Sequence, residues 1–216
     1  MAVFIRDRDG LDVSRYRIHH SWRAEAFLAD QNQMATTPSL FPDPTREIFF
    51  DIETLRLSHE VEGGWSSIAR FGLAVAVTWD AQNRFRRWFE QDAKALVSEL
   101  GQFDRIVSFN GDRFDFEVLS AYQPVNHLLG KSFDLLVDLH RRLGHRIKLD
   151  DLARETLGNQ KTGNGLEIVQ WWREGRKEEV CQYCENDVKL LVDLVEFARR
   201  NKYVVVKSRQ LPVDWP

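Results

Sequence analysis

The feature that most constrains this chain is the run Ile48-Phe49-Phe50-Asp51-Ile52-Glu53, which sets two acids into an otherwise apolar stretch. Glu47 to Glu53 is rich in β-forming residues and predicts a strand. A run this apolar belongs in the centre of a sheet, where charge is rare. Asp51 and Glu53 are two residues apart, so both carboxylates leave the same face of the strand. Side by side on a covered face they repel and lose hydration unless a cation or other partners compensate. The alternative is a strand end turned to solvent, and an Asp-x-Glu triplet alone does not decide between the two.

The 216 residues suffice for one large domain, or one domain with an extension. At 43% hydrophobic and 29% charged, the composition excludes disordered, collagen-like and membrane classes. Thirty basic residues against 33 acidic ones leave a net charge of −3, which excludes a simple polybasic binder. Any grip on nucleic acid must come from local patches. The amino terminus meets Arg6, Asp7, Arg8 and Asp9 directly after Met-Ala-Val-Phe-Ile, leaving no apolar core for a secretory signal. The longest apolar stretch, near Phe71 to Val77, has strand length and not membrane-spanning length. Cys181 and Cys184 are too few for a disulfide framework. The expectation is a cytoplasmic protein with no membrane partner.

Gln31 to Arg46 is polar and punctuated by Pro38, Pro42 and Pro44, which marks a boundary between an extension, residues 1–46, and a folded domain, residues 47–216. The extension carries Phe4, Ile5, Tyr16, Trp22 and Phe27, compatible both with docking on the main body and with ordering on a partner. Ser67 to Trp79 and Arg84 to Phe89 read as strands and would continue the first into an antiparallel meander. A helix from Asp92 to Leu100 stops at Gly101, and a strand from Arg105 to Phe109 runs into Asn110-Gly111. Helical spacing then covers Phe114 to Tyr122, Phe133 to Leu143, Leu149 to Leu157, Leu166 to Arg173 and Lys177 to Arg200, before a last β-type run at Tyr203 to Val206. The sum is an α/β sandwich with a mixed central sheet flanked by helices.

Two further acids attract attention. Asp115 follows a strand that ends in Asn110-Gly111 and turns into a helix, at the sheet edge where open α/β folds place their sites. Helix-dipole capping accounts for a first-turn Asp equally well, and Asp112 is the same case nearer the turn. On the long helix Tyr183 and Asp187 are i and i+4, hence neighbours on one face, and Asp187 borders the apolar stripe of Val180, Cys184, Val188, Leu191 and Val195. Cys181-x-x-Cys184 lacks the second pair that a zinc site needs, and no helical His-x-x-x-His pair occurs among the six histidines. Leu149-Asp150-Asp151 offers a spare acid, which helix capping also explains.

Together these pieces resemble the DEDD exonucleases of the ribonuclease-H-like, or DnaQ-like, fold in their tyrosine-containing branch. Asp51-Ile52-Glu53-Thr54 matches the first exonuclease motif, Asn110-Gly111-Asp112-Arg113-Phe114-Asp115 the second, and Tyr183-x-x-x-Asp187 the third. The second and third, with Lys148-Leu149-Asp150-Asp151-Leu152-Ala153, Leu157-Gly158 and Lys161-Thr162-Gly163, look closest to the proofreading domains of family-B DNA polymerases and their stand-alone relatives. The resemblance spans about residues 47 to 206. It implies that Asp51, Glu53, Asp115 and Asp187 hold two divalent ions, Mg²⁺ or Mn²⁺, with Asp51 bridging both, Glu53 and Asp187 completing one site, and Asp115 serving the other through water. Oxygen-only ligands suit these hard ions. Tyr183 would orient the attacking water.

The implied reaction is stepwise release of nucleoside 5′-monophosphates from a single-stranded or frayed 3′ end, DNA favoured over RNA. The same resemblance makes Thr54, Leu55, Asn110 and Phe114 candidate substrate contacts. Trp65, Phe109 and Phe114 could stack unpaired bases, although core packing explains each of them too. Basic clusters at Arg84-Arg86-Arg87, Arg141 to Lys148 and Arg199-Arg200-Lys202 could hold phosphates or simply face solvent. A polymerase, helicase or repair protein is the expected macromolecular partner. The competing reading is a nucleic-acid-binding or accessory subunit that keeps this fold without turnover.

Overall fold

The computed structural model describes residues 45–158 and 165–216. The expected extension up to Pro44, and Lys161, Thr162 and Gly163, lie outside them. The first strand, β1 (Glu47–Thr54), is the spine of a five-stranded sheet, because Ile48, Phe49 and Phe50 are apolar on both faces and all buried. On one side it pairs antiparallel with β2 (Leu73–Asp80), and β2 pairs antiparallel with β3 (Arg84–Phe89). On the other side β4 (Arg105–Ser108) runs parallel to it, followed by β5 (Ser132–Asp134), parallel to β4. The sheet is therefore mixed, in the order β3-β2-β1-β4-β5. The edge strand β3 is blunted by charge: Arg86 reaches Glu99 at 2.6 Å, and Arg87 reaches Glu185 at 2.5 Å.

Side-chain alternation along β1 splits the core into two layers. Ile48, Phe50 and Ile52 pack with α1 (Ala93–Leu100), α2 (Asp115–Ser120) and α3 (Asn126–Leu129). Phe50 stacks on Phe116 with ring centroids 5.4 Å apart. Phe49 faces the other way, into a cluster built by α4 (Leu135–Leu143), α5 (Leu149–Leu157), α6 (Gly165–Arg173) and the long α7 (Lys177–Asn201). By period two, Asp51 and Glu53 share the face of Phe49 and so look toward α7. The chain leaves β1 toward β2 and returns through β4 on the opposite side, so the crevice between β1 and β4 is the switch point of the sheet.

Several elements differ from the sequence expectation. The strand expected over Ser67 to Trp79 begins only at Leu73. Ile68–Arg70 is a turn of 3₁₀ helix that buries Ile68 and Phe71, which mimics strand alternation, and Gly72 at φ +74° breaks the chain into the strand. The helix expected from Phe133 begins at Leu135 because Asp134 is extended and caps it, accepting from the N–H groups of Leu136 at 2.8 Å and Val137 at 3.2 Å. Phe133 and Asp134 instead form β5. The run at Tyr203–Val206 is β6 of a hairpin whose second strand, β7 (Arg209–Pro212), carries no sequence signal. Its turn, Lys207-Ser208, takes φ of +51° and +59° without the usual Asn or Gly. Beyond it Trp215 is buried on Phe133 and donates from Nε1 to Asp138 at 2.8 Å. No helix among the described residues is long and apolar enough to cross a membrane.

Candidate active site

Asp51 and Glu53 occupy the carboxyl half of β1, opposite Val77 and Val75 of β2. Packing of α7 across this face brings Asp187 down onto them. Carboxylate oxygens of Asp51, Glu53 and Asp187 lie within 4.8 Å of one another. Asp115, in the first turn of α2, is buried and held by its own backbone N–H and that of Ile52. It is also close enough to act on Asp51. Burial first, and then the charges of Asp115, Asp187 and Glu53, push the Asp51 carboxyl well above the usual range. Asp115 is itself raised to about 8, mainly by burial, with Asp134 and Asp112 adding repulsion. The fold thus gathers all four acids from three distant segments.

Tyr183 is 5% exposed and sits one turn before Asp187. Burial, then the charges of Asp187, Glu53 and Asp51, push its phenol up, so it stays protonated and is a hydrogen-bond donor among acids. Asp150, at the start of α5, lies near enough to add to that shift. Asp112 turns away, its carboxylate accepting from Ser132 Oγ at 2.5 Å.

Two residues that shape the site are not evident as such in the sequence. Cys184 donates its thiol to the backbone oxygen of Asp51 at 3.3 Å and to Asp51 Oδ2 at 3.5 Å. Burial and the neighbouring carboxylates, Asp51 foremost, hold that thiol well above its ordinary pKa, so it remains the donor. Asp134 is the second. Besides capping α4, it accepts from the backbone N–H of Asn110 at 2.8 Å and of Asp112 at 3.2 Å. It thereby pins the loop that leads into Asp115. Asn110 is left-handed there at φ +73°, and a Cβ at Gly111 would meet Ser108 Oγ at 2.2 Å, so the Asn-Gly pair is required by the turn. A single Asp ahead of an apolar helix signals a cap, which could have pointed to Asp134.

The candidate substrate contacts fall into two groups. Phe114 is half-buried, 6.0 Å from Phe71 and 6.1 Å from Trp65, and Trp65 is 63% exposed. Thr54 is buried, its Oγ1 donating to the carbonyl of Arg56 at 3.1 Å, and Leu55 is half-buried, its carbonyl accepting from Arg173 at 3.3 Å. Asn110 accepts from Arg146 at 2.5 Å through its side-chain oxygen. Phe109 packs on the α7 side of the core.

A partly buried set of oxygen donors at mutual repulsion is chemically suited to a hard divalent cation, which would offset the charge that burial makes unfavourable. The mixed sheet with acids at its switch point and on the crossing helix defines a ribonuclease-H-like α/β protein. The RNase_H_2 family model, of the RNase_H superfamily, matches residues 48–199, and the chain belongs to that superfamily. Among solved structures it is similar to the family B DNA polymerase of the hyperthermophilic archaeon Pyrobaculum calidifontis, at 20% identity and a TM-score of 0.54. That likeness, one of fold, covers 73% of this chain and 25% of the polymerase chain. No curated protein matched the chain.

Proposed function

We propose that the protein is a metal-dependent 3′–5′ exonuclease that removes nucleoside 5′-monophosphates from single-stranded or frayed DNA, in preference to RNA. The observation that carries this reading is the convergence of Asp51, Glu53 and Asp187 within 4.8 Å, with Asp115 acting on Asp51 from the adjoining helix. These four carboxylates would hold two divalent ions, Mg²⁺ or Mn²⁺, which supply a nucleophilic hydroxide and stabilise the departing oxygen when bound. Tyr183, protonated by its surroundings, donates to the attacking water and aligns it. Cys184 and Asp134 act through others, the thiol by fixing the Asp51 carboxylate and Asp134 by fixing the turn before Asp115. Trp65, propped on Phe71 at 5.7 Å and beside Phe114, offers an exposed ring on which an unpaired base stacks. Residues 1–46 would dock the enzyme on a polymerase, helicase or repair protein.

The test is digestion of matched 5′-labelled DNA and RNA strands in Mg²⁺ and in Mn²⁺. One-nucleotide shortening of DNA by the wild type, abolished in Asp51→Ala, supports the reading. Equal release by Asp51→Ala, or no release from either polymer, overturns it. Metal-dependent binding without cleavage would favour an accessory subunit instead.

A further inference from the structure

Beside the acidic cluster lies a cavity of about 840 Å³ that the motifs do not account for. It falls within the roughly 300 to 1,000 Å³ typical of small-ligand sites. Its floor is apolar, built from Phe109, Leu136 and Val205, and its rim is cationic, carrying Arg146, Lys148 and Lys207. The acids on the same wall are largely committed elsewhere. Asp151 pairs with Arg154 at 2.7 Å, and Glu155 accepts the backbone N–H of Ser208 at 2.8 Å. Arg146, Lys148 and Lys207 are exposed, and none of them forms an ion pair with a carboxylate among the described residues. Two links join the cavity to the site: Arg146 donates to Asn110, on the turn before Asp115, and Asp150 lines the cavity while acting on Tyr183. One wall belongs to the β6–β7 hairpin, which lies beyond residues 48–199 of the superfamily match.

We infer that this cleft is a strand subsite, holding nucleotides upstream of the terminal two with bases over the apolar floor and backbone phosphates on Arg146, Lys148 and Lys207. The chemistry requires this pairing of surfaces, because an apolar floor alone would select a lipid or peptide and a cationic rim alone would select any anion. A nucleotide strand presents both at a fixed spacing. Phe109 supplies the aromatic surface, worth about 1 to 3 kcal/mol per stacked base in single-strand binders. The hairpin thus extends the substrate path past the catalytic cluster. This assignment rests on the nuclease reading for its substrate, and on the cavity for its place.

The experiment uses the whole chain and the variant Lys148→Ala/Lys207→Ala, whose side chains are exposed and stand outside the acidic cluster. Binding of a labelled single-stranded DNA decamer is measured across a KCl series with Ca²⁺ as the metal, and hydrolysis of the decamer and of a dinucleotide is measured with Mg²⁺. Losing two phosphate contacts should reduce the slope of log affinity against log salt by about 1.4. KM for the decamer should rise with kcat unchanged, while the dinucleotide, too short to reach the cleft, is cut equally by both proteins. An unchanged salt slope, or an equal loss on the dinucleotide, overturns the subsite while leaving the nuclease reading intact. Cleft-dependent binding by a wild type that releases no mononucleotide supports the subsite and overturns the nuclease reading.

Discussion

Without metal, the site acids are held against their own charge, and Asp115→Asn measures by how much. Burial, with repulsion from Asp134 and Asp112, raises the Asp115 carboxyl from 3.8 to about 8. The unfolded chain releases this proton near 3.8 and the folded chain keeps it until about 8. Between those values the folded state binds more protons, so stability is full below the lower value and falls as pH rises through the window. At 1.36 kcal/mol per pH unit, the loss reaches about 4 kcal/mol at pH 7 and levels off above about pH 8. Asparagine keeps the shape and neutrality of the protonated acid at every pH. Its carbonyl can still accept from the N–H groups of Ile52 and of residue 115. Removing the charge also relieves Asp51, on which Asp115 is the largest influence after burial.

The assay is urea denaturation in EDTA at several pH values. The stability difference between Asp115→Asn and wild type should grow by about 1.4 kcal/mol per pH unit, for a total change of about 4 kcal/mol between acid and pH 7. Any unmet donor on the new amide displaces the curve equally at all pH values, so the slope is the readout. Mg²⁺ should stabilise the wild type more than the variant, and the variant should lose nuclease activity. A pH-independent difference in EDTA would show that the native site does not oppose ionisation of Asp115, and would refute the reasoning.

Three other perturbations follow from single contacts. Trp65→Ala should leave stability nearly unchanged, because the ring is 63% exposed, and should weaken single-strand affinity by about 5- to 150-fold, the worth of one stack; titration with a labelled strand checks this. Asp134→Ala removes the acceptor of four backbone N–H groups and should destabilise by about 3 kcal/mol in urea, with activity lost beyond what unfolding explains because the turn before Asp115 loosens. Ser208→Gly relieves a left-handed residue at φ +59° while keeping the N–H bonded to Glu155, and should stabilise by about 0.5 to 1 kcal/mol; a loss of stability in urea would show the turn unstrained.

What the sequence made legible was local chemistry. The acids at Asp51 and Glu53 stood out because charge is expensive in an apolar strand, and Tyr183 and Asp187 because helical spacing put them at the border of an apolar stripe. What stayed hidden depended on contacts between distant segments or on deceptive spacing. Cys184 is read correctly as a buried stripe residue, yet its bond to Asp51 spans 133 positions, and no periodicity encodes it. Asp134 sat inside an apparent helix because Phe133, three residues before Leu136, continues the apolar spacing back past the true cap. Ile68 and Phe71 lengthened the apparent second strand because a 3₁₀ turn can bury two residues as efficiently as a strand does. The β6–β7 hairpin was half visible, its turn using Lys and Ser where a signal would use Asn and Gly.

The net charge of −3 argues against nucleic-acid binding only while the protein is metal-free. Four of the acids are gathered at one place, where two divalent ions would add four charges and bring the formal total to about +1. On the proposed nuclease reading the change in sign is concentrated where a phosphodiester approaches, with Arg146, Lys148 and Lys207 lining the cleft beside it. Affinity for a single-stranded decamer should therefore collapse in EDTA and recover on adding Ca²⁺, with the cleft cations alone giving only weak, steeply salt-dependent binding. Equal affinity with and without the metal would mean that the cationic surface suffices. The acidic cluster would then lie off the path of the strand, and the reading of Asp51, Glu53, Asp115 and Asp187 as the place of hydrolysis would fail with it.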